Sequence, residues 1–111
     1  VFRAEAVVEF SDNYTIPLIS DKDMAAFATD TLKKILPEDQ ILPMHKSFPG
    51  SEDFAFIADK VPTLFIVLGA TVQKGVEYGQ HHPKVRFNEE CLPTGAAAYA
   101  YLASEWLKNN K

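Results

Sequence analysis

Apolar and polar positions alternate over the first ten residues. Phe2, Ala4, Ala6, Val8 and Phe10 share one parity, while Arg3, Glu5 and Glu9 share the other. This is the pattern of a strand buried on one face. A strand needs partners, and the next thirty residues offer none, so its sheet is expected to lie upstream. From Ser20 the period becomes helical. Ser20 can cap the first turn, Asp21 and Asp23 suit the positive end of the helix dipole, and Met24, Phe27, Ala28, Thr31, Leu32 and Ile35 form an apolar stripe that Pro37 ends. The short stretch from Ile41 to Met44 contains Pro43 and reads equally as an edge strand or an extended loop. A second helix is expected from Ser51, with Phe54, Ile57 and Ala58 facing inward. Pro62 to Gly69 is a continuous apolar run, as in a strand covered by helices on both faces, with its proline at the tolerated first position. A last helix is expected from Leu92 or Pro93 to Lys108, with Ala97, Ala98, Tyr101, Leu102, Glu105 and Trp106 at helical spacing. The order strand, helix, possible strand, helix, strand, loop, helix argues for the edge of an α/β layered sheet.

Composition narrows the partners. At 111 residues, 47% of them apolar, the chain can build one modest core, and no apolar run approaches the ~20 residues that span a bilayer. The reading is a soluble unit with no membrane partner. The net charge of −4 is mild and the eleven Lys and Arg are scattered, so no electrostatic footprint for nucleic acid exists. Cys91 is the sole cysteine, which excludes an internal disulfide. The chain opens on Val1 in mid-pattern, with no leader, and reads as cut from something larger.

Three groups of residues could carry chemistry, and each also has a plain structural reading. Gly50-Ser51-Glu52-Asp53-Phe54 leads into a helix. A glycine there permits close backbone approach or positive φ, and exposed N–H groups at a helix start can hold a carboxylate or a developing oxyanion. The same residues also describe a well-capped helix and nothing more. His81-His82-Pro83 follows a flexible Gly75 to Gly79 turn, and Pro83 biases His82 towards extended geometry, so the two imidazoles project differently. A metal site needs three or four ligands, and neither Cys-x-x-Cys nor His-x-x-x-His spacing is present to complete one. On spacing alone these are solvated loop histidines, as is His45 beside Lys46. Cys91 follows Glu89 and Glu90, which oppose thiolate formation, and reads as a small packing residue.

Taken in order, Gly50-Ser51-Glu52-Asp53-Phe54, Val61 to Gly69, and His81-His82-Pro83 followed by Phe87, Glu89, Leu92, Gly95 and Ala96 resemble the carboxyl-terminal part of the aminoacylase-like metallopeptidases. The branch resembled is that of the N-acyl-amino-acid amidohydrolases, which include hippurate hydrolases and auxin-conjugate hydrolases. The likeness runs from about Thr15 onward. It implies an α/β fold in which residues 15–111 form the carboxyl-terminal portion of a zinc-peptidase-like three-layer α/β/α catalytic domain. Residues 1–14 are similar to the last strand of that family's inserted α/β lid, a domain through which homodimers can form. The implied cofactor is a pair of divalent metals, zinc, manganese or cobalt, which activate a bridging water and polarise the carbonyl. The implied substrate is an N-acyl amino acid or small peptide, and the implied location is cytoplasmic.

Residue by residue, the resemblance makes His81 the last metal ligand, two positions before a proline, and places His82 at a variable position that is not a ligand. Gly50 and Ser51 are implied to lie along the substrate carboxylate, with Asp53 supporting their loop. The remaining ligands and the glutamate general base are expected upstream, so no catalytic base is assigned here and the isolated chain is expected to be inactive. The alternative is a non-catalytic anion-binding or interaction module of the same architecture.

Overall fold

The structure, a computed structural model, describes residues 3–12, 14–44, 46–72, 75 and 78–110. His45, expected to be a solvated loop histidine, lies outside the described residues. Three α-helices appear, α1 (Lys22–Leu32), α2 (Ala55–Ala58) and α3 (Leu92–Asn109), with 3₁₀ turns at Glu38–Gln40 and Glu89–Cys91.

Helix α1 starts one residue later than the hydroxyl at Ser20 suggested. Its N-cap is Asp21, whose Oδ1 accepts from the Met24 N–H at 2.9 Å. A carboxylate caps as well as a hydroxyl and also meets the dipole, and it leaves Ser20 free for another bond. The Ser20 Oγ accepts from the Phe65 N–H at 3.1 Å, and the Asp21 N–H donates to the Thr63 carbonyl at 2.7 Å. These two bonds fasten the start of α1 to the apolar run. Ala28, Thr31 and Leu32 are the buried face of α1, and turns closed by Lys34 and Leu36 unwind it before Pro37.

Helix α3 begins at Leu92 as the spacing required, with Pro93 in its first turn, where a missing N–H costs nothing. Asn88 prepares the start. Its side chain accepts from the Glu90 N–H, and its own N–H donates to the Ala70 carbonyl at 2.9 Å. The two long helices pack together through Phe27 and Trp106, whose rings meet edge to face at 5.3 Å and 77°. Glu105 adds charge to this seam, bonded to Lys108 at 2.6 Å and 3.8 Å from Lys34 in the turn after α1. The hydrogen bond from Lys108 holds the Glu105 carboxyl below its ordinary value.

The apolar run 62–70 lies between helices. Phe65 meets Phe54 just before α2, with ring centroids 5.8 Å apart, while Leu68 lies against Gly95 of α3. These two residues have opposite parity, as in a segment with a helix on each face. At Gly95 the approach is so close that a Cβ would stand 2.8 Å from the Leu68 Cδ2, so a larger residue there would require the Leu68 side chain to shift.

Sheet structure is the main departure from the sequence pattern. Among the described residues there is no strand, neither in 3–10, nor in 41–44, nor in 62–69. A ladder needs a neighbour for every second N–H and C=O, and among the described residues no other segment supplies one. Ile41 to Met44 therefore resolves as irregular chain. The helix expected from Ser51 shortens to the four residues of α2, and Ile57, expected inside, is 53% exposed.

The molecule is correspondingly open. Its radius of gyration is 19.0 Å, against about 13 Å for a closed domain of this length. Its 10190 Å² of accessible surface compares with about 6,000 Å² for a compact protein of this mass. Val7, Val8 and Phe10 are 87%, 74% and 93% exposed, and they lie together on an unpaired segment. Segments of this kind pair with whatever edge is available. The 111-residue chain on its own is therefore expected to sediment as a self-associated species, and removal of residues 1–10 is expected to reduce that association. A monomer with or without those residues would contradict this.

Candidate functional site

The Asn88 N–H bond to the Ala70 carbonyl draws together the two ends of the segment 71–87. That segment carries both histidines. Within it the chain makes two successive turns, the first closed by the His82 N–H on the Gly79 carbonyl at 3.2 Å, the second by the Val85 N–H on the His82 carbonyl at 2.9 Å. His81, at the apex, has φ +69°. For a non-glycine residue this left-handed conformation costs on the order of 1 kcal/mol, and histidine is among the side chains that tolerate it better.

The two imidazoles are in different situations. His82 Nδ1 accepts from the Lys84 N–H at 3.0 Å, and its ring stacks on Tyr78 at 4.3 Å and 16°. The Nδ1 lone pair of His82 is thus engaged within its own turn. The His81 ring is exposed and, among the described residues, has no hydrogen-bonding partner. Its nitrogens are open to a ligand from outside the chain. The donor chemistry of His81 therefore fits a metal, whereas the ring of His82 is engaged within the turn.

Among the described residues no three His, Cys, Asp or Glu side chains gather as a metal site. His81 can supply one ligand of a set.

The Gly50 loop is built otherwise than its residue types suggested. Ser51 does not cap a helix. The N-cap of α2 is Phe54, and in the turn before it the Glu52 Oε1 accepts from the Phe54 N–H at 3.2 Å, with the Glu52 and Asp53 carbonyls accepting from Ala55 and Phe56. Gly50 is not in the left-handed region, and a Cβ there would make ordinary contact with the Phe48 ring at 3.6 Å. Its freedom is thus not used for a turn. Among the described residues the N–H groups of Gly50, Ser51, Glu52 and Asp53 donate no hydrogen bond, which leaves a run of open donors ahead of α2. The Asp53 carboxylate is exposed and bonds neither Gly50 nor Ser51. It lines an open groove of about 480 Å³ with Asp12, Tyr14 and Thr15.

A second open groove of about 630 Å³ runs beside the histidine turn, between Leu68, Tyr78, Pro83 and Arg86. Asp53 and the histidine turn thus border separate grooves, and the chain does not by itself close them into one site. Cys91 is half-buried in the turn before α3. Two structural features escaped the residue pattern, the turn bond of Glu52 and the ring contact of Tyr78. An aromatic residue four positions before a histidine is the only trace the latter left in the sequence.

Comparison with known proteins places this arrangement. The pattern that defines peptidase family M20/M25/M40 matches residues 5–105, and the chain belongs to that family. It is 30% identical over 111 residues, 97% of the chain, to IAA-amino acid hydrolase ILR1-like 2 of Arabidopsis thaliana, covering 25% of that protein. It is 34% identical over 104 residues, 93% of the chain, to thermostable carboxypeptidase 2 of Saccharolobus solfataricus, again covering 25% of it. The chain thus spans about a quarter of the length of these relatives. No solved structure matches it. Among the described residues no helix is long and apolar enough to cross a membrane.

One imidazole and loop carboxylates do not build a closed coordination sphere. Zinc titration of the 111-residue chain is expected to give no stoichiometric site of submicromolar affinity. Tight binding abolished by His81→Ala would mean that further ligands lie within this chain.

Proposed function

We propose that the complete protein is a metal-dependent amidohydrolase that cleaves the amide bond of an N-acyl amino acid or small peptide, with His81 as one ligand of a divalent metal centre. The observation that carries this reading is the histidine turn. At the position where the family resemblance asks for a ligand, the chain holds a non-glycine residue at φ +69° with an exposed imidazole, while the adjacent histidine is stacked on Tyr78 and accepts the Lys84 N–H at Nδ1. Local strain of this kind is kept where a side chain must be aimed. Family membership and the names of the two relatives, an IAA-amino acid hydrolase and a carboxypeptidase, support the reaction class.

The metal, when bound, would supply an activated water and a polarised carbonyl. The chain's own residues act around that chemistry. His81 would give one nitrogen to the metal. The open N–H groups of Gly50 and Ser51 would receive the carboxylate of the amino acid that leaves, anchoring the substrate at its charged end. Asp53, at the foot of that loop and beside residues 12–15, would border the approach from the lid. The apolar run 62–70, with helices against residues of opposite parity, supports the proposed place of residues 15–111 in a three-layer α/β/α domain. Residues 1–14 would belong to the lid, and a dimer through that lid is part of the same proposal.

In the complete protein, His81→Ala is expected to remove one metal and to lower hydrolysis of N-acetyl and N-benzoyl amino acids by orders of magnitude. Gly50→Ala is a separate probe. Because a Cβ at Gly50 meets the Phe48 ring only at ordinary contact distance, the variant is expected to fold normally, and to raise KM by crowding the carboxylate with metal content unchanged. The checks are steady-state kinetics over the substrate panel with zinc, manganese and cobalt, alongside metal analysis of each variant. Unchanged metal and activity in His81→Ala would refute the assignment. A metal-free wild type inert on every substrate would favour an anion-binding module.

A further inference from the structure

The strained apex of the histidine turn needs something to hold it, and its neighbours show what does. His81 is the third residue of the turn that the His82 N–H closes on Gly79, the position at which a β-turn takes up positive φ, and it holds φ +69° without being glycine. The residue that prevents relaxation is His82. Its N–H closes the first turn and its carbonyl opens the second, so it is the hinge point between them. Any rotation of the chain that released His81 would carry the His82 ring with it. That ring is fixed in two ways, along one edge by the Lys84 N–H on Nδ1 at 3.0 Å and across one face by Tyr78 at 4.3 Å and 16°. Pro83 sets the chain direction between the two bonds. His82 is therefore more than a loop neighbour of the ligand position.

We propose that Tyr78 and His82 act as a stacked clamp that holds His81 in its left-handed conformation and so fixes the direction in which its imidazole meets a metal. This rests on the reading of His81 as a metal ligand. Both are positioning residues, and neither touches the metal or the substrate. The contact that matters is the face of the Tyr78 ring, since among the described residues its hydroxyl makes no hydrogen bond. A phenylalanine should therefore serve as well as tyrosine, and an aliphatic residue should not. At His82, a ring without Nδ1 keeps the stack and loses the Lys84 bond, which separates the two halves of the clamp.

The test measures metal affinity in the complete protein, by competition with a chromophoric zinc chelator, together with the melting temperature of the metal-free form. Tyr78→Ala is expected to weaken zinc binding about tenfold, the effect typical of groups that orient a ligand without being one. Tyr78→Phe is expected to restore near-native affinity, and the metal-free melting temperature is expected to be the same in both. Unchanged affinity in Tyr78→Ala overturns the clamp. So does Tyr78→Phe as weak as Tyr78→Ala, which would put the effect in the hydroxyl, and so does a metal-free melting temperature that falls in step with affinity, which would make the role structural. Should Tyr78→Ala fail to fold, His82→Phe against His82→Ala decides, with the stacked ring expected to bind zinc more tightly and equal affinities overturning the proposal. His81→Ala is the control that keeps the two readings apart. Loss of one metal in His81→Ala with full affinity in Tyr78→Ala defeats the clamp alone, while retention of both metals in His81→Ala defeats the metal-ligand reading beneath it.

Discussion

The two hydrogen bonds that join the start of α1 to the apolar run, from the Asp21 N–H to the Thr63 carbonyl and from the Phe65 N–H to the Ser20 hydroxyl, determine how the rest of the chain is placed. They bring a local element, the helix, against a segment more than forty residues away that has no regular structure of its own. Once the run is fixed there, Phe65 can meet Phe54 on one side and Leu68 can settle on Gly95 on the other. The contact between Phe27 and Trp106 then closes α1 on α3. The core that results is small, with Ala28, Leu32 and Ala55 its buried apolar members and Thr31 and Thr63 beside them. Such a core holds helices in register but does not shelter the large apolar side chains left exposed around it.

The functional loop inherits its position from this frame. The run ends at Ala70 and α3 is prepared by Asn88, and a single bond between those two residues gathers the ends of the intervening loop. Between those ends the backbone carries local strain. That strain is concentrated at His81, and the bonds and ring contact of His82 oppose its release. The Gly50 loop, by contrast, shows no glycine-specific backbone conformation. What it offers is a set of amide donors without partners.

What could be read from the sequence follows the range of the interactions. Helices α1 and α3 were legible because their period, caps and flanking prolines are local, and α3 starts at Leu92 as its spacing required. The shift of the cap from Ser20 to Asp21 was not legible, since it depends on Phe65 claiming the Ser20 hydroxyl from 45 residues away. The alternation in residues 1–10 and the apolar run 62–69 carry a strand pattern without a ladder, because period gives the faces of a strand and never its neighbours. At the candidate site, spacing located the histidine pair and the resemblance singled out His81. The physical difference between the two rings, a left-handed backbone at one and a stacked, bonded imidazole at the other, belongs to turn geometry that residue types alone do not encode.

The central claim is that His81 is the residue this chain gives to a metal. Crystals of the complete protein grown with zinc or manganese, with anomalous diffraction measured at the absorption edge of that metal, test it most directly. The account predicts an anomalous peak about 2.0–2.1 Å from a ring nitrogen of His81 for zinc, with His82 still stacked on Tyr78 and away from the metal. A metal bound through His82, or a metal centre that leaves His81 in solvent, would contradict it.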